Sequence, residues 1–123
     1  MIQPSTIVNI ADNSGAKIGR IFKVLGSSKK RYAGIGDIVV LSVQKAEPRK
    51  AIKKKEVLQA VVVRQRSPFR RKDGSYIRFD ENAVVILEKG KHDPIAGRIF
   101  GPIPREMVEF GYQKIASLSA EIV

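Results

Sequence analysis

Lysine and arginine clusters are the features of this sequence whose residue types and spacing could do chemistry. Their cationic groups bind phosphate oxygens, and the planar guanidinium of arginine also stacks on nucleic-acid bases. The net charge of +11 predicts an anionic partner, of which nucleic acid is the commonest. The clusters lie in four segments between apolar runs: Lys29–Arg31, Arg49-Lys50, Lys53–Lys55 and Arg64–Lys72.

The charge is divided unevenly along the chain. Residues 1–79 carry 18 Lys and Arg against 5 Asp and Glu, a balance of +13. Residues 80–123 carry 5 against 7, a balance of −2. We therefore expect the first two-thirds of the chain to contact the polyanion and the last third to have a different role.

Other candidate sites carry weaker signals. His92 is the only histidine and no nucleophile motif surrounds it, while the adjacent acids Asp80 and Glu81 are typical of a turn. The segment Gly34–Asp37 lacks the Gly-Lys-Ser/Thr ending of a phosphate-binding loop. The absence of cysteine excludes disulfides and thiolate metal sites. We expect neither catalysis nor a metal or other cofactor.

Short apolar runs separated by turn residues predict a mainly β protein, typical of a small barrel or sandwich. In the second run, alternation places Ile18, Phe22 and Val24 on one face. Before the last run, a cationic excursion with a turn at Asp73-Gly74 is expected to project into solvent. The expected strands are Ile7–Ile10, Lys17–Leu25, Ile38–Val43, Val57–Val63, Tyr76–Phe79 and Ala83–Leu87.

The pattern changes after Gly90. Pro104 suits the first turn of a helix that Gly111 ends, and Tyr112–Leu118 has the spacing of a second short helix. We expect a single domain over residues 1–123, with a barrel and basic loops in 1–90 and a loop and short helices in 91–123. No signal peptide or membrane-spanning run is visible, which predicts a soluble intracellular protein.

The residues alone leave alternatives open. Tyr32, Phe69 and Tyr76 lie in or beside the basic loops, where they either stack on unpaired bases or cap the barrel ends. Stacking would suit a free single-stranded nucleic-acid binder or chaperone. Arg98 and Lys114 are cations on a nearly neutral tail and could meet RNA or an acidic protein.

Three motifs in order resemble one family closely: Ala11–Ala16 (ADNSGA), Arg71–Asp80 (RKDGSYIRFD) and Gly97–Pro102 (GRIFGP). The chain resembles, over its whole length, the bacterial-type large-subunit ribosomal protein L-fourteen family. The resemblance implies a five-stranded, OB-like β-barrel with a β-ribbon excursion and a small C-terminal helical part. It also implies a non-catalytic structural component of the large ribosomal subunit, in the cytoplasmic ribosome or in that of an organelle.

The partners that the resemblance implies are RNA and proteins. They are large-subunit rRNA, ribosomal proteins of the L-three and L-nineteen families, small-subunit rRNA at intersubunit bridges, and a ribosome silencing factor. The silencing-factor surface maps onto Gly97, Arg98, Lys114 and Ser117. The residues expected to contact RNA are Lys29, Lys30, Arg31, Tyr32, Arg49, Lys53, Lys54, Arg64, Arg66, Arg70, Arg71 and Arg78.

Three positions depart from the family pattern. Lys50 and Lys55 stand where the family usually has glycine, so any positive φ there strains or reshapes the turn. Gly97 stands where the family usually has threonine, which removes a hydroxyl from the silencing-factor surface.

Overall fold

Five strands rich in valine and isoleucine close into a barrel, in the order Ile7–Ile10, Ala16–Val24, Ile38–Ala46, Val57–Arg64 and Ala83–Ile86. The computed structural model describes residues 2–26, 32–49, 52–88 and 90–123. It confirms the expected mainly β class, the five-stranded barrel and the two short helices near the C-terminus. The elements of the described residues are β1 (Ile7–Ile10), β2 (Ala16–Val24), β3 (Ile38–Ala46), β4 (Val57–Arg64), β5 (Phe69–Arg70), β6 (Tyr76–Ile77), β7 (Ala83–Ile86), β8 (Ile99–Ile103), α1 (Glu106–Glu109), α2 (Gln113–Leu118) and β9 (Ser119–Ile122).

The barrel closes because β1 pairs in parallel with β7, while the other neighbouring strands pair antiparallel. Closure leaves no open edge at which valine-rich strands could pair with another chain. Alternation along β3 turns Val39, Leu41 and Val43 into the interior, where all three are fully buried. The interior of the barrel is therefore the first of two hydrophobic cores.

A second core explains why the apolar runs of β4 and β7 do not alternate. Both faces of these strands are buried, because the C-terminal segment packs on their outer wall. Full burial of one such aliphatic side chain contributes about 1.5–3 kcal/mol. The wall formed by β1, β2 and β3 keeps exposed outward side chains. The second core includes Val61, Val63, Val85, Leu87, Ile99, Ile103, Met107 and Ile115.

A β-bulge changes which side chains β2 presents to solvent. The pairing of β2 with β3 shifts register between Ile21 and Lys23. Phe22 and Lys23 therefore both face outward, and Phe22 is 50% exposed while Val24 is buried. The expectation that Phe22 shares a face with Val24 is wrong, because strict alternation takes no account of an inserted residue.

The remaining strands form two small sheets outside the barrel. β5 and β6 make a two-stranded ribbon around the expected Asp73-Gly74 turn, where Gly74 has φ +89°. The second strand of this ribbon is shorter than the expected Tyr76–Phe79. β8 pairs in parallel with β9, a strand that the sequence pattern did not indicate. Between them, α1 and α2 pack on each other and bury Met107 and Ile115.

Lys55 has a left-handed backbone, with φ +71°, at a position where the resembled family usually has glycine. A residue with a side chain is strained by about 1–2 kcal/mol in this conformation. Glycine removes the strain, but the gain in stability is smaller because glycine also makes the unfolded chain more flexible. Lys50 lies outside the described residues.

We expect Lys55→Gly to raise the free energy of unfolding by about 1 kcal/mol in chemical denaturation. Lys54→Gly, in the same loop at an ordinary φ, is the control and should give no gain. Equal effects of the two changes on the free energy of unfolding would show that the backbone of Lys55 is not strained.

Candidate nucleic-acid interface

The directions of the strands sort the basic segments onto two ends of the barrel. The connection 25–37 and the excursion 65–82 leave from one end, since β2 and β4 run in the same direction. The loop between β3 and β4, residues 47–56, leaves from the opposite end. Lys29, Lys30 and Arg31 lie in the first connection but outside the described residues. The predicted cations thus belong to two groups rather than to one patch.

Three cations of the β3–β4 loop face solvent. Arg49, Lys53 and Lys54 are exposed, and none of them forms an ion pair with another described residue. The nearby acid Glu47 is instead 3.6 Å from Lys17 Nζ. Glu56, the other acid of this loop, accepts from the backbone N–H of Lys53 and forms no ion pair with these three cations. The loop therefore presents an excess of positive charge to any anionic partner.

Arg64, which was predicted to contact RNA, is instead buried between β4 and the C-terminal segment, with only 6% of its surface exposed. Its Nη1 donates to the carbonyl oxygens of Phe100 (2.9 Å) and Pro102 (3.0 Å). Its Nη2 donates to Glu81 Oε1 at 2.9 Å. A guanidinium held on three acceptors joins β8 to the barrel and has little surface left for phosphate.

Arg71 is also held within the fold. Its Nη2 donates to the main-chain oxygen of Val123 at 2.6 Å. Its Nε lies 3.1 Å from Glu106 Oε2, in a geometry that does not make a hydrogen bond, and both side chains are 12% exposed. The ribbon turn is therefore anchored to α1, and the expected projection into solvent is wrong for this part of the excursion.

Two further ion pairs join the ribbon turn to α1. Lys72 Nζ lies 3.8 Å from Glu109 Oε2, and Arg105 Nη2 lies 3.9 Å from Asp73 Oδ2. Both pairs are well exposed to solvent, which screens the attraction between their charges, so each contributes little to stability. Hydrogen bonds from Ser75, with smaller contributions from Arg105 and Arg71, lower the pKa of Asp73. Acids of the C-terminal segment thus neutralise part of the charge that the sequence concentrates in the ribbon.

Arg66, Arg70 and Arg78 remain exposed on the excursion. Arg66 donates from Nε to the carbonyl oxygen of Asp80 at 3.1 Å, which orients its side chain without burying it. Arg78 lies on a cleft of about 580 Å³ that also contains Asp80 and Glu81, so its surroundings are electrically mixed. Among the arginines of the excursion these three are accessible to a polyanion, while the equally exposed Lys72 is paired with Glu109.

The three aromatic residues considered for base stacking differ in exposure. Tyr32 is 47% and Tyr76 is 65% exposed. Phe69 is only partly exposed and packs against the second core. Two of the three rings are therefore accessible to a base, while the third supports the fold of the ribbon.

A further set of cations lies on the open wall of the barrel, outside the clusters that the sequence indicates. Arg20, Lys23 and Lys45 point outward from β2 and β3 and are exposed. Each is an isolated cation within a strand, so none of them belongs to a charge cluster in a loop. A periodicity count that allowed for a bulge would have found Lys23 beside an exposed Phe22.

The four residues of the expected protein-binding surface, Gly97, Arg98, Lys114 and Ser117, are all exposed. The guanidinium carbon of Arg98 lies 5.6 Å from the centre of the Phe100 ring, within reach of a cation–π contact. Its backbone N–H donates to Asn13 Oδ1 at 3.2 Å, and Ser117 Oγ donates to the carbonyl oxygen of Lys114 at 2.8 Å. Arg98 directly precedes β8 and Lys114 lies on α2, two elements in contact.

The remaining polar residues of interest have structural partners. Asp37 Oδ2 accepts from the Gly34 N–H at 2.7 Å, which makes Gly34–Asp37 a turn. His92 stacks on Tyr112, and burial together with the charge of Asp37 raises the pKa of that tyrosine. Within the described ranges, no three His, Cys, Asp or Glu side chains come together as metal ligands.

Asp12 links the β1–β2 turn to the barrel. Its Oδ1 accepts from the N–H and the hydroxyl of Ser14, and its Oδ2 accepts from the Ile86 N–H at 3.0 Å. Burial raises the pKa of Asp12, an effect that these hydrogen bonds partly oppose. The first of the three sequence motifs therefore has a structural basis in the contact between β1 and β7.

A closed five-stranded barrel with exposed cations at its ends and a separate mixed-charge surface defines a small basic β-barrel protein, a class whose charge predicts an anionic partner. The family model of ribosomal protein L14p/L23e matches residues 1–123, the whole chain, and the protein belongs to this family. It is thus a structural protein of the large ribosomal subunit, and the family implies association with rRNA and is generally non-enzymatic. No helix in the described part of the chain is both long and apolar enough to cross a bilayer.

Proposed function

We propose that the protein is held in the large subunit by phosphate contacts from the two basic ends of the barrel. The observation that carries this proposal is the exposure of Arg49, Lys53 and Lys54 without acidic partners among the described residues. Arg66, Arg70 and Arg78 extend the same charge to the other end. Phosphate contacts fix position and register but read little sequence, because A-form RNA hides its base edges in a deep groove.

Arg64 and Arg71 have a different role in this proposal. Both guanidiniums satisfy main-chain oxygens and carboxylates of the C-terminal segment. They contribute to RNA binding only indirectly, by holding β8 and the ribbon turn in place. The connection between β2 and β3 is also proposed to contact RNA. For its residues Lys29, Lys30, Arg31 and Tyr32 the proposal rests on their charge and their position in the chain.

Salt dependence tests this mechanism. Each phosphate contact releases condensed counterions, which lowers the logarithm of the affinity by about 0.7–0.9 per tenfold rise in salt. Five or more contacts predict a slope of about −4 or steeper for binding to protein-free large-subunit rRNA. Filter binding or fluorescence anisotropy across a salt series measures it. An affinity that hardly changes with salt would rule out phosphate neutralisation as the main source of binding.

We also propose that the exposed surface around Gly97, Arg98, Lys114 and Ser117 meets protein partners. The last third of the chain has a balance of −2, and its acids Glu106 and Glu109 are directed to the ribbon rather than to this surface. The partner that the family suggests for this surface is a ribosome silencing factor. Large-subunit proteins of the L-three and L-nineteen families and small-subunit rRNA at bridges are the other partners that the family suggests, with no surface assigned to them. A side chain at Gly97 would meet nothing within 4 Å, so the glycine leaves room at this surface.

A further inference from the structure

The open wall of the barrel carries a patch that the phosphate contacts of the loops do not explain. Its members are Arg20, Phe22 and Lys23, which we call the β2 patch. The ring of Phe22 is half exposed, although a phenylalanine on a barrel strand normally serves the core. The bulge between Ile21 and Lys23 is the cause, since it turns two consecutive side chains outward.

The surroundings of the β2 patch are apolar or neutral. Arg20 lies opposite Ile7 on β1 and Ser42 on β3, and Lys23 lies opposite Val40. Neither cation forms an ion pair with any described residue. Glu47, which follows β3 and lies beside the start of β2, is paired with Lys17. An exposed aromatic ring is thus flanked by two cations that no acid in the described part of the chain compensates.

We propose that Phe22 stacks on an unpaired base of RNA while Arg20 and Lys23 contact the phosphates on either side of it. Arg20 and Lys23 lie opposite Ser42 and Val40, which are two residues apart on β3, so the bulge brings the two cations to within about 7 Å along the strand. Phe22 lies between them in the sequence and also faces outward. Aromatic rings bind bases of any sequence through their faces, and flanking cations bind the backbone. This inference rests on the proposed RNA-binding function and adds a specific contact to it.

The absence of tryptophan from the sequence makes a direct test possible. Phe22→Trp introduces a single indole, whose fluorescence a stacked base quenches. We expect quenching when protein-free large-subunit rRNA is added, with an affinity close to that of the original protein. Phe100→Trp is the matched control, because Phe100 is 48% exposed and also lies beside an arginine. Its indole should not be quenched.

Affinity measurements separate stacking from charge. Phe22→Ala should weaken binding to the same RNA by about tenfold to a hundredfold without changing the salt slope, since it removes no phosphate contact. Arg20→Ala and Lys23→Ala should each make the slope shallower by about 0.7–0.9. Thermal melts confirm that the variants fold, which the exposure of all three side chains favours.

The outcomes distinguish this inference from the function on which it rests. If the unmodified protein binds the RNA with a steep salt slope but Phe22→Ala is neutral and the Phe22→Trp indole is not quenched, the stacking contact is overturned and the phosphate mechanism survives. If the unmodified protein itself fails to bind, the proposed function is wrong. A patch that serves an acidic protein instead would give the first of these results.

Discussion

Gly101→Ala is expected to lower the free energy of unfolding by about 4–7 kcal/mol, of which about 3–5 kcal/mol is the cost of breaking a buried charged contact. Gly101 has φ +80°, and a Cβ there would lie 2.4 Å from Arg64 Nη1. Arginine is flexible, but this guanidinium cannot retreat without losing its bonds to Phe100, Pro102 and Glu81. The left-handed backbone adds a further 1–2 kcal/mol, roughly, for any side chain. Chemical denaturation measures the change.

Gly97→Ala is the control for this loss. Gly97 lies in the same segment, has no positive φ, and a Cβ there would contact nothing within 4 Å. Its effect should stay within about 0.5 kcal/mol, as for other open surface positions. In combination with Arg64→Met, the Gly101→Ala change should cost less than it does alone, because the displaced guanidinium is already gone. Additive losses would contradict the proposed contact.

Replacing the three exposed cations of the β3–β4 loop should have the largest effect on RNA binding. Arg49→Ala, Lys53→Ala and Lys54→Ala together remove three phosphate contacts, which should make the salt slope shallower by about 2–3. Near 0.1 M salt the affinity should fall by roughly a hundredfold. The measurement is binding to protein-free large-subunit rRNA across a salt series.

The double change Arg98→Ala and Lys114→Ala tests, in the same assay, whether the RNA-binding surface is separate from the surface proposed to meet proteins. Both cations are exposed, yet they lie on the segment proposed to meet proteins. We expect this pair to leave the RNA affinity and the salt slope unchanged, although it removes two positive charges. A slope that falls in proportion to charge removed anywhere on the protein would show that the contacts are not localised.

Much of the barrel was predictable because its signals are local. Runs of β-branched residues bounded by Asp12–Gly15 or Asp73-Gly74 predict strands and turns without knowledge of the tertiary structure. The bulge at Phe22 was not predictable in this way, since alternation presumes one residue per step. β9 was missed because its pairing with β8 joins residues far apart in the chain.

The candidate site was predictable in charge but not in contacts. Composition indicates how many cations are present, yet it cannot show which of them the fold uses itself. The guanidinium groups of Arg64 and Arg71 bind main-chain oxygens and acids that lie 17 to 52 residues away in the sequence. Gly101 is the position at which the sequence could have indicated this contact. A glycine is required there because the guanidinium of Arg64 approaches the backbone.

The most direct test of the central claim is a cryo-EM structure of the large subunit assembled with this protein. We expect Arg49, Lys53, Lys54 and Arg66 to lie within about 3.5 Å of phosphate oxygens. We expect Arg98 and Lys114 to face away from large-subunit RNA. A particle in which the loop cations face bulk solvent, while the C-terminal surface is buried against RNA, would contradict the proposed phosphate contacts.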